Sequence, residues 1–395
     1  MERIDFKIPF IGRAHKYTQE EVNEVIYAMK SAIPLTQGKY LDDFQKKFCE
    51  YSGSKFAFAL NNATAALEIV AQLCCFQNGD EVIIPGHTYT SSAYPFIKKG
   101  AKIVWADIDI SSRVISAETI EPCINNNTKA IVVVHLYGYG ADMRKIVELA
   151  AKHNLLVIED AAQALGVEID GKMAGTYGDY GVYSFHSHKN LSTLGEGGMV
   201  TVKDEYIANI IPMLRHNGHC EFDYDRNYYW KPAMSNVDLP ELNGVSLFPN
   251  NYCLGEVECA LGIKLLDRVD EMNDQKRQRA LTFINSFSDY KDLQFHFVES
   301  KQHNYHLLVA QMQNMEKRDN FIELMAKQEK IQCIVQYYPL YRYDLYKKIG
   351  FGSANCPNTD NFFDSMVSFP FHYLMSDNDF HFMIKATERV LKKLS

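Results

Sequence analysis

A single lysine separates two strand-like runs in residues 182–202. Val182-Tyr183-Ser184-Phe185 leads to His186-Ser187-His188-Lys189, and Gly195, Gly197 and Gly198 precede Met199-Val200-Thr201-Val202. A lysine between a strand end and a glycine-rich turn can be held by backbone. That suits a Schiff-base lysine, which must sit at a fixed distance from an aldehyde and shed its proton to react. The same spacing fits an exposed lysine in a hairpin loop, so this stretch alone leaves both readings open. His186 and His188 have no further ligand at metal-binding spacing and read as polar neighbours.

Three other places bear on the same chemistry. Asn62-Ala63-Thr64-Ala65 falls where a strand hands over to a helix. Backbone amides there, with the Thr64 hydroxyl, form a phosphate seat; an ordinary N-cap by Asn62 or Thr64 explains the pattern as well. His87-Thr88-Tyr89 follows the next strand, at the end of a parallel sheet where ligands bind. Tyr89 there either stacks on a flat cofactor or packs as a core tyrosine. Asp160-Ala161-Ala162-Gln163 follows the apolar run Leu155-Leu156-Val157-Ile158. A carboxylate at the end of a buried strand is costly unless paired, and a protonated pyridine nitrogen is a suitable partner. Asp160 capping a following helix is the alternative; Gln163, one helical turn on, reaches the same ligand.

The elements that must position these residues alternate between strand and helix. Residues 17–32 carry Val22, Val25, Ile26 and Met29 on one helical face, Pro34 and Gly38 interrupt, and residues 40–51 resume with Leu41, Phe44 and Phe48. Strands are expected at 56–60, 81–85, 102–106, 130–134 and 155–158, with helices at 65–75 and 143–153. This is the signature of βαβ units and a mostly parallel sheet. A single long helix over 256–286, with Val257, Leu261, Leu265 and Val269 on a stripe, leads out of the sheet. Strands such as 306–309 and helices such as 319–328 and 377–394 then indicate a smaller α+β unit. The expected division is 1–255 and 256–395.

At 395 residues the chain is long enough for two such units. Its net charge of −8 argues against a nucleic-acid-binding surface. No apolar run reaches bilayer-spanning length, and no membrane association is expected. Nine cysteines without CxxC spacing read as reduced thiols in a cytosolic protein.

In combination the motifs resemble the DegT/StrS-type sugar aminotransferases, pyridoxal 5'-phosphate enzymes of the aspartate aminotransferase (type I) fold. The likeness runs from about Gly38 to the C-terminal helix and rests on motifs in the family's order. These are Thr36-Gln37-Gly38, Asn62-Ala63-Thr64-Ala65-Ala66-Leu67, Gly79-Asp80-Glu81-Val82-Ile83, His135-Leu136-Tyr137-Gly138, residues 158–166, and Ser184-Phe185 through Lys189 to Gly198.

The resemblance implies an α/β large domain with a mostly parallel sheet flanked by helices and a smaller C-terminal α+β domain. It implies that Lys189 carries the cofactor and moves the proton, that Asp160 keeps the pyridine nitrogen protonated, and that Gln163 touches the ring hydroxyl. Tyr89 would stack on the ring, while Ala63, Thr64, Ala65 and Ser184 would hold the phosphate. Asn251 would enter the neighbouring subunit's phosphate site, which implies a homodimer with shared active sites. A branch of the family with histidine at the lysine position dehydrates its substrate instead; Lys189 favours transamination.

The implied reaction moves an amino group from L-glutamate to the ketone of a nucleotide-linked keto sugar, giving amino sugars for surface polysaccharides or glycoproteins. The chain departs from the family pattern at Ala63, where glycine is usual, and at Cys253, where arginine is usual. Residues 221–247, with Tyr228-Tyr229-Trp230-Lys231-Pro232, are longer than expected. These departures leave open a keto-cyclitol or non-nucleotide sugar-acid substrate. A non-catalytic regulator of the same fold would be expected to have lost Lys189, Asp160 or Gln163.

Overall fold

The computed structural model describes residues 4–222 and 234–394. Seven strands form one sheet: β1 Phe56–Leu60, β2 Glu81–Pro85, β3 Lys102–Ala106, β4 Thr128–Val134, β5 Leu156–Asp160, β6 Tyr180–Ser184 and β7 Gly198–Val202. Their spatial order is β1-β7-β6-β5-β4-β2-β3. Neighbours from β6 through β5, β4 and β2 to β3 run parallel, whereas β7 is antiparallel to β6 and to β1. β6 and β7 are buried at every position. Continuous apolar strands of this kind belong to a sheet covered on both faces.

The covering helices are α1 Gln19–Ser31, α2 Lys39–Ser52, α3 Ala63–Leu73, α4 Met143–Lys152 and α5 Glu205–Arg215. α3 is apolar nearly all round and buried from Ala65 to Leu73, packed on β6 and β7. It begins at Ala63, two residues before the expected start at 65, so Ala63 and Thr64 lie in its first turn. Gly198 permits this placement. A Cβ there would lie 2.4 Å from the Asn62 carbonyl carbon and 2.6 Å from the Ala63 nitrogen.

Strand register sets the site edge. Asp160 pairs with Val134 and Val182, and Ser184 pairs with Gly198, which also faces Leu60. The carboxyl ends of β1, β4, β5 and β6 therefore meet the start of β7.

The helix expected over 256–286 is two helices, α6 Glu256–Leu266 and α7 Val269–Asn285. Arg268 leaves helical geometry (φ −128°, ψ 6°). Its guanidinium reaches both Glu21 carboxylate oxygens at 2.5 and 3.0 Å and the Lys16 carbonyl at 3.2 Å. The expected stripe survives the break, with Leu261, Leu265 and Val269 buried. On α1 only Val25 of the expected apolar face packs, partly buried, against the core of this chain. Val22, Ile26 and Met29 are exposed, while Glu21 and Ala28 are buried.

The C-terminal unit contains α7, α8 Met315–Lys327 and α9 Asp377–Leu394 with an antiparallel sheet β8 Leu293–Phe295, β9 Leu308–Met312 and β10 Met366–Phe369. Its own core includes Ala280, Phe283, Phe321, Phe369 and Met383, joined by Ile8 from the N-terminal segment. The segment between α8 and β10 returns to the large sheet. There Leu340 N donates to Gly86 O at 2.8 Å, and Trp105 Nε1 donates to Phe351 O at 2.8 Å. Of residues 221–247, positions 223–233, including Tyr228-Tyr229-Trp230-Lys231-Pro232, lie outside the described residues. In the rest of the segment Asn236–Val237 pairs with His219–Cys220 just ahead of it, and Glu241–Leu242 pairs with Val245–Ser246.

Glu256, at the start of α6, ties the entry helices together. Its buried carboxylate accepts from the amides of Gly38 at 2.9 Å, Tyr40 at 2.8 Å and Leu41 at 3.3 Å, at the N-terminus of α2. Amides in a helix's first turn have no partner within the helix. Glu256→Ala is expected to cost about 1–3 kcal/mol by leaving them unpaired, read as a lower midpoint in chemical denaturation.

Candidate active site

A cavity of about 820 Å³ opens at the carboxyl edge of the large sheet. Ala63, Thr64, Ala65, Tyr89, Asp160, Gln163, Ser184 and Lys189 all line it. Phe10, Ile11 and Gly12 of the N-terminal segment and Gln336 and Tyr337 of the C-terminal half complete the wall. Asn251 does not reach this cavity in its own chain. It is exposed and bridges to His216 through backbone, although its neighbour Tyr252 lines the wall.

The loop carrying Lys189 is held by backbone on both sides. Phe185 N donates to Gly197 O at 2.8 Å, Ser187 N to Gly195 O at 3.0 Å, and Thr193 N to Phe185 O at 3.1 Å. His15, from the N-terminal segment, donates from Nε2 to the Lys189 carbonyl at 2.8 Å. Lys189 is only 9% exposed, which rules out a solvated hairpin lysine. Burial pushes its amine down to about 8, against the pull of the Asp160 charge, which raises it. Next to it, burial and the Lys189 charge push His188 down to about 3. His188 and His186 share a hydrogen bond of 2.7 Å between their Nδ1 atoms, as polar neighbours.

No helix follows Asp160, so it caps none. Residues 161–167 form turns. Asp160 Oδ1 accepts from Ala162 N at 3.1 Å and Oδ2 from Ser92 Oγ at 2.6 Å. The preceding Glu159 points the other way along the strand. It is fully buried and accepts from Gly175 N, Tyr177 N and Gly178 N at 2.6–2.8 Å, and contacts His135 Nε2 at 3.0 Å. Adjacent carboxylates thus serve opposite faces, one fixing a turn and one facing the cavity.

Gln163 reaches the cavity from a turn instead of a helix. Its Oε1 accepts from Tyr137 N at 2.7 Å and its Nε2 donates to Tyr337 OH at 3.0 Å. Tyr137 sits in the left-handed region (φ 62°), a strain of about 1–3 kcal/mol that its surroundings offset. Its hydroxyl donates to Gln336 O at 2.8 Å and takes a 2.6 Å bond from buried His87. Tyr89 presents a ring that is 56% exposed, edge-on to Tyr337.

At α3 the cap and the anion seat coexist. Asn62 Oδ1 accepts from Ala65 N at 2.8 Å, which commits that amide. The amides of Ala63 and Thr64, in the first turn, have no partner within the helix. Thr64 Oγ1 bonds Ser91 Oγ at 2.9 Å, and Ser184 Oγ accepts from His186 N at 3.4 Å. Ala63 in place of the usual glycine keeps the same backbone donor. Cys253 lies off the cavity wall, with its thiol 3.7 Å from Arg215 O. Arg215 itself is buried against Gln45, Gln37 and the Ala59 carbonyl.

The donor set fits a flat basic ring bearing a phosphate, with free amides at one end and a buried carboxylate and an amine of lowered pKa farther in. Ser92, Tyr337 and His15 were not singled out from the sequence, and Tyr137 entered only within the motif His135-Leu136-Tyr137-Gly138, without a role. In the apoprotein, Lys189 modification by an amine reagent is expected to have its midpoint near pH 8, below the ordinary lysine value of 10.5. Asp160→Asn removes the charge that raises it and should move the midpoint lower still, as read by peptide mass spectrometry across pH.

The chain is 31% identical to the Bacillus subtilis spore coat polysaccharide biosynthesis protein SpsC, over 98% of this chain and 97% of that protein. It is 30% identical to a Campylobacter jejuni UDP-4-amino-4,6-dideoxy-N-acetyl-beta-L-altrosamine transaminase, over 95% of this chain and 96% of that one. Among solved structures, Helicobacter pylori PseC, an aminotransferase involved in the biosynthesis of pseudoaminic acid, superposes with a TM-score of 0.87. That likeness is at 26% identity over 97% of this chain and 99% of that one. With the profile of the DegT/DnrJ/EryC1/StrS aminotransferase family matching residues 15–388, the chain belongs to that family.

Proposed function

We propose that this protein is a pyridoxal 5'-phosphate-dependent transaminase that moves an amino group from L-glutamate to the ketone of a nucleotide-linked deoxy sugar. The observation that carries the reading is the buried Lys189 amine facing the same cavity as Asp160 and the first turn of α3. When bound, the cofactor supplies an aldehyde that holds the amino group in transit and a ring that spreads carbanion charge. The amides of Ala63 and Thr64, with the hydroxyls of Thr64 and Ser184, hold the phosphate. Asp160, oriented by Ser92, keeps the ring nitrogen protonated. Lys189 Nζ, biased toward the free amine by burial, holds the cofactor between turnovers and carries a proton once the donor's amine has displaced it. Tyr89 covers the ring, and Gln163, fixed by Tyr137 and Tyr337, meets its hydroxyl.

The Campylobacter relative named for a UDP-linked amino sugar supports the nucleotide-sugar class of acceptor. The exposed Val22, Ile26 and Met29 on α1, together with exposed Asn251, support a homodimer whose subunits complete each other's phosphate site. A cytosolic setting accords with nine free cysteines.

Purified protein with cofactor is expected to show a visible band that L-glutamate bleaches and a suitable keto sugar restores. Lys189→Ala should abolish glutamate-dependent amination; retained turnover would sink the reading. Restoration by a keto-cyclitol or free sugar acid, but not by any nucleotide-linked sugar, would replace the acceptor class. Met29→Asp is expected to shift sedimentation from dimer toward monomer and to lower activity with it.

A further inference from the structure

Behind the Lys189 loop, two side chains of α7 grip the next residue, Asn190. Asn190, Asn273 and Lys276 are all buried. Asn273 Nδ2 donates to the Leu165 carbonyl at 3.0 Å, which turns Asn273 Oδ1 toward Asn190, where it accepts from Nδ2 at 2.6 Å. Asn190 Oδ1 can only accept, and it faces Lys276 Nζ at 3.2 Å and His306 Nδ1 at 3.2 Å. Lys276 Nζ also donates to the His306 carbonyl at 3.1 Å. Among the described residues no carboxylate is hydrogen-bonded to Lys276. Burying an amine in this way is costly, and a methionine would fill the space without that cost. What the amine adds is a donor for Asn190.

The other end of the grip reaches a second part of the site. Leu165 lies in the turns that follow Asp160 and carry Gln163. Asn304 Nδ2 donates to the carbonyls of Gln163 and Leu165, each at 3.1 Å. Gly166 lets Asn273 approach, since a Cβ there would lie 2.5 Å from Asn273 Nδ2. Asn273 thus spans from the Gln163 turn to the Lys189 loop. On the far side of the same peptide, His15 holds the Lys189 carbonyl.

We propose that Asn190 is a positioning residue for Lys189: gripped by Asn273 and Lys276, it keeps the lysine inside the cavity and in register with the turn that carries Gln163. It acts through the backbone of the loop and touches no reacting atom. Its part in the reaction rests on Lys189 being the cofactor lysine.

The first test needs no cofactor. It is the pH midpoint of Lys189 labelling by an amine reagent in the apoprotein, read by peptide mass spectrometry, with wild type expected near pH 8. Asn190→Leu sets an apolar chain against the Lys276 amine and Asn273 Oδ1, whereas Lys276→Met removes one grip and fills the same space. A loop freed from its clamp lets Lys189 reach water. In both variants the midpoint should therefore rise by about one pH unit or more, toward the ordinary 10.5. Asn190→Leu leaves in place Asp160 on β5, His188 on the loop and His306 before β9, the titratable groups coupled to Lys189 by charge, so a rise there reports position and not lost charge. In the loaded enzyme each variant should slow the glutamate half-reaction about tenfold or more with the glutamate KM unchanged. A midpoint that stays near pH 8 in either variant, or a half-reaction at the wild-type rate in both, would overturn the proposal. A wild-type protein with no glutamate-sensitive band would overturn the transaminase reading, while raised midpoints would still show the clamp.

Discussion

An amine and a carboxylate buried at one edge of one sheet are the constraint on which this structure turns. Lys189 must be dry enough to lose its proton, yet Asp160 beside the same cavity favours the charged form. Desolvation wins because the Lys189 loop has little freedom to reach solvent. It is bonded to Gly195 and Gly197 on one side and to His15 on the other. Asp160 is tolerated because Ser92 and the Ala162 amide satisfy it while one face stays open to a ligand.

The rest of the large unit holds that pair in register. β5 delivers Asp160 to the cavity and Glu159 to the opposite face, where three amides and His135 fix the turn after residue 174. β7, antiparallel to both neighbours, brings Gly198 against Asn62 and Ala63, so the N-terminus of α3 arrives beside Ser184. A side chain at Gly198 would separate the phosphate seat from the lysine loop.

The C-terminal unit is part of the site and not an appendage. Tyr337 and Gln336 come from the segment that folds back on the large sheet, and they reach Gln163 and Tyr137 respectively. Lys276 and His306 approach the lysine loop from behind. The N-terminal segment crosses between the two, with Ile8 in the small core and Gly12 on the cavity wall. Relative movement of the units would therefore be felt at Lys189.

The sequence by itself determined the alternation of strands and helices, the parallel character of the sheet, the family, and eight of the residues that line the cavity, Asn251 excepted. Those features are local: apolar runs, a glycine-rich turn, a strand ending in a carboxylate. It misplaced the start of α3 and ran α6 into α7, because the break depends on Arg268 finding Glu21, a partner 247 positions away. Tyr337, His15, Ser92 and Lys276 carry no local signature. Each matters through a neighbour distant in the chain, such as Ser92 to Asp160 or Lys276 to Asn190, and only the tertiary structure decided those pairings. The helical spacing of Val22, Ile26 and Met29 was legible in the same way, but the side they face was not, since that depends on what else packs against α1.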